Sequence, residues 1–167
     1  MYKSSHFFTR RLTLIALLLI CFCPLAAKTI SGKVTAVKDG DTIVVLKNRV
    51  TYTIRLDGID CPEKKQAFGD KAKRFVSDKV FSRNVKVVYT KKDRYQRYLG
   101  TVYYGGGKNL NEDLLKAGLA WHYKQYNKDP ILAKLEATAR RNKTGLWADK
   151  NPVAPWNFRR IKKKQTL

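Results

Sequence analysis

Three short β-branched runs follow one another near the start of the chain: residues 29 to 37 (TISGKVTAV), 42 to 46 (TIVVL) and 50 to 56 (VTYTIRL). Between the first two lies Lys38-Asp39-Gly40-Asp41, and an Asp-Gly pair between such runs is a strong hairpin signal. Lys47-Asn48 turns the chain into the third run. Three strands joined by turns this tight describe an antiparallel meander.

From Gln66 to Phe81 the period changes, with Phe68, Ala72, Phe75, Val76 and Val80 at helical spacing. Strand composition returns at residues 85 to 90 and 99 to 104, and Gly105-Gly106-Gly107 makes a turn. Two further helices are predicted. Asn111 is placed as the N-cap of the first, with Leu110 and Leu115 as its hydrophobic staple and Gly118 at its end. Asp129-Pro130 opens the second, whose Ile131, Leu132, Leu135 and Ala139 share a face, and Lys143 and Gly145 close it. Five strands with a helix after the third predict an α+β fold rich in β-barrel: a five-stranded OB-fold Greek-key barrel with about three helices.

The ends of the chain read differently. Residues 1 to 11 carry Lys3, Arg10 and Arg11 without an acid, and an apolar run from Leu12 to Leu25 leads to Ala26-Ala27. That is the layout of a signal peptide cleaved near Ala27, and about 14 apolar residues fall short of the roughly 20 of a membrane span. A retained anchor is the alternative. The expected organisation is a leader over 1–27, a domain over 28–149 and a basic C-terminal tail over 150–167. The tail is broken by prolines and ends in Arg159, Arg160, Lys162, Lys163 and Lys164, and it is expected to stay disordered until bound. Cleavage would leave Cys61 as the single cysteine, so no internal disulfide could form, and would place the protein in the periplasm or the medium.

The full chain has 35 Lys and Arg against 13 Asp and Glu, a formal net charge of +22. Three of those bases and no acid lie in the leader, so the remainder carries +19. A surplus of this size points to polyanions and excludes a neutral or cationic surface as the main partner. Against it, the few acids are concentrated: Asp39, Asp41, Asp57, Asp60 and Glu63 lie within 25 residues. In a meander, Asp41 at the opening of the second strand and Asp60 beyond the third can meet at one sheet edge. Asp41 and Asp60 with a backbone carbonyl would suit Ca²⁺ or Mg²⁺. Arg55 and Arg97 supply guanidinium forks that suit phosphate. Two acids for a metal, a third as base and two arginines are the parts of a metal-assisted phosphodiester hydrolysis.

With these motifs, the chain resembles the staphylococcal nuclease (thermonuclease) family. AVKDGDTIVV, IRLDGIDCPEK and DRYQRYLG are similar to its three signatures, and NEDLLKAGLAW to the start of its second helix. The resemblance covers roughly residues 29 to 149. It implies an exported Ca²⁺-dependent nuclease that cuts DNA and RNA to 3′-phosphates, acting as a monomer without a stable protein partner. It implies Asp41, Asp60 and the Cys61 carbonyl as metal ligands, with Cys61 where Thr is common. By the same resemblance Glu63 is the general base, Arg55 and Arg97 clamp the phosphate, and Arg94 and Tyr95 contact a terminal phosphate of bound nucleotide. The loop from Glu63 to Phe68 is shorter than in the staphylococcal enzyme. Tyr123 and Tyr126 are candidates to stack on a base, with core or surface packing as the expected role of each. Two rival readings fit the charge: a non-catalytic OB-fold nucleic-acid-binding protein, and a cationic envelope-binding protein.

Overall fold

The computed structural model describes residues 27–165, so the leader lies outside the described residues apart from its last position. The meander forms as three strands, β1 (Lys28–Val37), β2 (Thr42–Lys47) and β3 (Val50–Leu56). The turn between β2 and β3 is centred on Asn48 and Arg49, both at positive φ (50° and 65°), which is the twist a two-residue hairpin favours. A two-residue strand, β4 (Ile59–Asp60), follows, then helix α1 (Gly69–Val80) and strands β5 (Asn84–Lys92) and β6 (Tyr98–Tyr104). β1 lies between β2 and β5, and a parallel β3–β6 pair closes the barrel. The short strand β7 (Lys108–Asn109) extends β6 as a hairpin through Gly105 to Gly107. The fold is thus the expected α+β, five-stranded OB-type barrel.

Alternation along the strands fills the barrel. Val34, Ile43, Val45, Ile54, Val87 and Val102 are fully buried, and α1 closes one end with Ala72, Val76 and Val80. Helix α2 (Leu110–Lys116) adds Leu110, Leu114 and Leu115 to the same core. Strand β8 (Trp121–His122) pairs with β4, and α3 (Pro130–Arg141) lies behind it. A smaller apolar cluster forms where Trp121, Ala139, Leu146, Trp147 and Ala154 meet, with Arg140 stacked on Trp147.

Several local expectations are corrected. Four α-helices form among the described residues, not three, because the tail folds: α4 spans Pro155–Gln165. Pro155 takes the first position, where its missing N–H costs nothing, and Trp156 packs edge-on against Trp121 at 5.5 Å. The N-cap of α2 is Asn109, whose Oδ1 accepts from the N–H groups of Asn111 and Glu112. Asn111 instead accepts from the Val102 N–H and donates to the Asp57 and Gly100 carbonyls, tying α2 to the barrel. Asp129 caps α3 as expected, but Ile131 points outward, 57% exposed, while Leu132 and Ala139 are buried.

Tyr104 on β6 donates to Asp113 of α2 at 2.7 Å. Burial, reinforced by this carboxylate, pushes its phenol up to about 12. A phenol whose folded pKa is raised stabilises the fold fully below its unfolded value near 10, and loses that contribution as pH rises through 12. The urea midpoint is therefore expected to fall between pH 10 and 12, with a smaller fall in Tyr104→Phe. An equal fall in the variant would remove Tyr104 as the cause.

Candidate active site

The barrel register builds the site. Thr42 pairs with Arg55 across β2 and β3, which sets Asp41 beside Arg55, and the Leu56 N–H donates to the Asp41 carbonyl at 2.8 Å. Arg55 in turn pairs with Leu99 across the parallel β3–β6 ladder, bringing the β5–β6 turn with Arg94, Tyr95 and Arg97 to the same edge. β4 carries Asp60, held opposite Trp121. Asp41, Arg55, Asp60, Cys61, Glu63, Arg94, Tyr95 and Arg97 all line one open cleft of about 610 Å³. Thus every position singled out in the sequence comes together.

Two approaches of backbone are too close for any side chain. A Cβ on Gly40 would lie 2.7 Å from the Ala72 Cβ and 2.8 Å from the Cys61 Cβ, so the Asp39–Asp41 turn seats directly on α1 and on the residue that follows β4. A Cβ on Gly69 would strike the Glu63 carbonyl. The Glu63–Gly69 segment is wound tightly, with Gln66 N–H bonded to the Glu63 carbonyl at 2.8 Å and Glu63 N–H to Gln66 Oε1 at 3.1 Å.

Arg55 is the brace of the site. Its Nη1 donates to the Leu56 and Ile59 carbonyls, both at 2.8 Å, and its Nη2 contacts Asp60 at 2.8 Å and Asp41 at 3.1 Å. Burial, together with Asp39 and Asp60, outweighs Arg55 and raises the Asp41 carboxyl to about 7. Burial also pushes the Cys61 thiol well up, with Asp41 adding to it, and the thiol packs in the core while the Cys61 N–H donates to Asp41 at 2.8 Å. Arg97 is ordered from the other side: Asp93 takes its Nε at 2.8 Å, and its Nη1 lies 3.5 Å from the Thr42 hydroxyl. Those bonds from Arg97 outweigh burial and lower the Asp93 carboxyl. Tyr95 is 65% exposed, with Arg94 stacked on its ring at 4.8 Å.

The donor set fits a hard divalent cation. One nitrogen touches both aspartates, so the oxygens it touches lie at most about 5.9 Å apart, while two ligands at roughly 2.3–2.6 Å from one Ca²⁺ lie at most about 5.2 Å apart, and sharing an ion would draw the two side chains closer wherever they exceed that. Among the described residues no group of three or more His, Cys, Asp or Glu side chains surrounds a common point, so the remaining ligands would come from backbone and water.

Sequence reasoning missed one contributor. Arg159 of α4 reaches into the cleft, contacting Glu63 at 2.7 Å and Asp60 at 2.9 Å. Those two carboxylates outweigh burial and hold its pKa above the ordinary arginine value. Tyr123 and Tyr126 line the cleft edge-to-face at 4.7 Å, and Tyr123 stacks flat on Trp156 (5.2 Å, 3°). The run of bases at the chain end was the signal for Arg159, but nothing local to it indicates a partner 99 residues away.

The chain is also similar in sequence to known proteins. Residues 53–149 match the family model described as "Staphylococcal nuclease homologue". The chain is 45% identical over 139 residues, 83% of its length, to a protein of Escherichia coli O157:H7 named "Uncharacterized endonuclease", covering 91% of that relative. A Haemophilus influenzae protein of the same name is 44% identical, over 92% of this chain and 88% of its own. A Shigella flexneri protein named "Micrococcal nuclease" is 43% identical, over 81% and 83% respectively.

Proposed function

Because this chain belongs to the staphylococcal nuclease homologue family, a family of nucleic-acid hydrolases, we propose that it is an exported Ca²⁺-dependent nuclease. It acts on DNA and RNA, single strands more readily than duplex, and leaves 3′-phosphates. The observation that carries this reading is the gathering of Asp41, Asp60, Glu63, Arg55 and Arg97 in one cleft of a strongly basic protein.

Asp41, Asp60 and the Cys61 carbonyl are the proposed Ca²⁺ ligands, and the ion, when bound, supplies charge neutralisation at the phosphate. Glu63, at the cleft wall, orients a water and takes its proton as the oxygen attacks phosphorus. Arg97, already turned by Asp93, offers its terminal nitrogens to the phosphate oxygens, where charge grows in the transition state. Arg55 acts there too, and also fixes the spacing of the two aspartates. Arg94 and Tyr95 flank a terminal phosphate. The basic surplus draws the polyanion in, with an affinity that falls as salt rises.

Export rests on the leader sequence. Among the described residues no helix is long and apolar enough to cross a membrane. The secreted protein is expected to begin at Lys28, which its intact mass will reveal.

Single-stranded DNA is expected to be cut with Ca²⁺ and left intact with a chelator, and Asp41→Ala to lower the Ca²⁺-supported rate by at least about a hundredfold, the scale of losing a positioned charge-stabilising group. Cleavage that survives chelation would refute metal dependence. Binding without cleavage under both conditions would establish the non-catalytic alternative.

A further inference from the structure

A second groove runs from the cleft along the chain's last helix. Its volume is about 520 Å³, and it lies between the segment after Glu63 and α4. Lys64 and Lys65 line one side, Lys162 and Lys163 the other, with Phe158 between them. Glu63 and Arg159 belong to both this groove and the catalytic cleft, so the two are continuous at the proposed general base.

The helix that forms this wall is fixed in place. Trp156 is stacked on Tyr123 and edge-on to Trp121, and Ala154 just before the helix is buried in the smaller apolar cluster. Across the groove, Gln66 Nε2 donates to the Val153 carbonyl at 2.6 Å, tying the Glu63–Gly69 segment to the approach of α4. Both walls therefore hold a set separation. Lys64, Lys65 and Lys163 place positive charge on both walls, which favours an anion between them. A polynucleotide strand suits both walls at once, because it repeats a negative charge at every residue and presents bases that stack on aromatic rings such as Phe158.

We propose that this groove is a phosphate subsite for the nucleic-acid strand continuing beyond the scissile bond. Lys64, Lys65 and Lys163 face consecutive phosphates, and Arg159 marks the junction with the catalytic cleft. The subsite rests on the nuclease reading for its substrate, and it assigns substrate contacts to residues of α4, beyond the 53–149 segment matched by the family model.

The test is equilibrium binding, with chelator present so that nothing is cut. Wild type and the triple variant Lys64→Gln/Lys65→Gln/Lys163→Gln are compared on labelled single-stranded DNA of 4 and 12 nucleotides. A control variant replaces three exposed lysines that line neither groove, Lys33, Lys86 and Lys143, so that net charge changes equally. All six side chains belong to exposed residues, and melting temperatures will verify folding.

The triple variant is expected to bind the 12-mer at least tenfold more weakly than wild type. Its slope of log affinity against log salt should be shallower by about 2, from roughly 0.7 per lost contact on a single strand. The control variant should lose less than threefold, and the tetranucleotide should discriminate less between wild type and triple variant than the 12-mer does. Equal losses in the triple and control variants, or equal losses on both lengths, would overturn the subsite. The nuclease reading is decided separately by wild-type cleavage with Ca²⁺: its failure there would leave the binding comparison intact, and either result can occur without the other.

Discussion

Glu63→Gln is expected to lower kcat on single-stranded DNA by about 10² to 10⁴, the usual contribution of a positioned general base. The amide keeps the size and polarity of the carboxylate but cannot take a proton from water. Glu63 has few structural duties: its side chain is 39% exposed, and its partner Arg159 is 45% exposed. A pair so open to solvent contributes at most about 1 kcal/mol to folding. The melting temperature should therefore shift by only a few degrees, and KM should change little. Gln66, which accepts from the Glu63 N–H, keeps the segment wound whatever side chain residue 63 carries. A variant that retained more than a tenth of wild-type kcat would exclude Glu63 as the base. One that lost stability in proportion to activity would recast it as a structural residue.

How far the sequence reveals this site depends on how far apart its parts lie along the chain. Asp41, Arg55 and Asp60 are separated only by tight turns, and once the meander is read their meeting is dictated by register, as Thr42 opposite Arg55 bears out. Arg97 arrives through the parallel β3–β6 pair, a long-range closure that no local pattern announces, and here the family signature carried the information. Arg159 had neither support. It lies past the matched segment, in a stretch whose prolines and lysines suggest a solvated end, and only the burial of Ala154 and the packing of Trp156 against Trp121 turn that stretch into a docked helix. Tyr123 and Tyr126 pack as expected, against each other and through Tyr123 on Trp156, and that packing sets them at the cleft wall. The misplaced N-cap of α2 shows the same limit at small scale. Asn109 and Asn111 are equally good caps by composition, and the choice is made by the Val102 N–H across the barrel, which needs Asn111.

Arg55→Met is expected to destabilise the protein by about 3–5 kcal/mol in chelator, the cost of breaking a buried charge pair from one side. The Arg55 side chain is 12% exposed, Asp41 9% and Asp60 2%, so solvent cannot replace what is lost. Removal leaves Asp41 facing Asp60 without the nitrogen between them, and leaves the Leu56 and Ile59 carbonyls without the donor at 2.8 Å that each now has. Arg159 still reaches Asp60, but it does not contact Asp41. A cation that binds the folded protein adds stability that grows with its occupancy. With the internal counter-charge gone, the pair of aspartates should bind Ca²⁺ more tightly, so saturating Ca²⁺ should stabilise Arg55→Met more than it stabilises wild type. Arg55→Lys should recover less than half of the loss, because one ammonium cannot reach four acceptors that a planar fork spans. Activity is expected to stay low in both variants even where Ca²⁺ restores the fold, since the guanidinium is also a proposed phosphate clamp. Urea unfolding with and without Ca²⁺ reads these differences directly. A loss below 1 kcal/mol in chelator, or a Ca²⁺ effect no larger than in wild type, would mean that Arg55 does not brace the two aspartates.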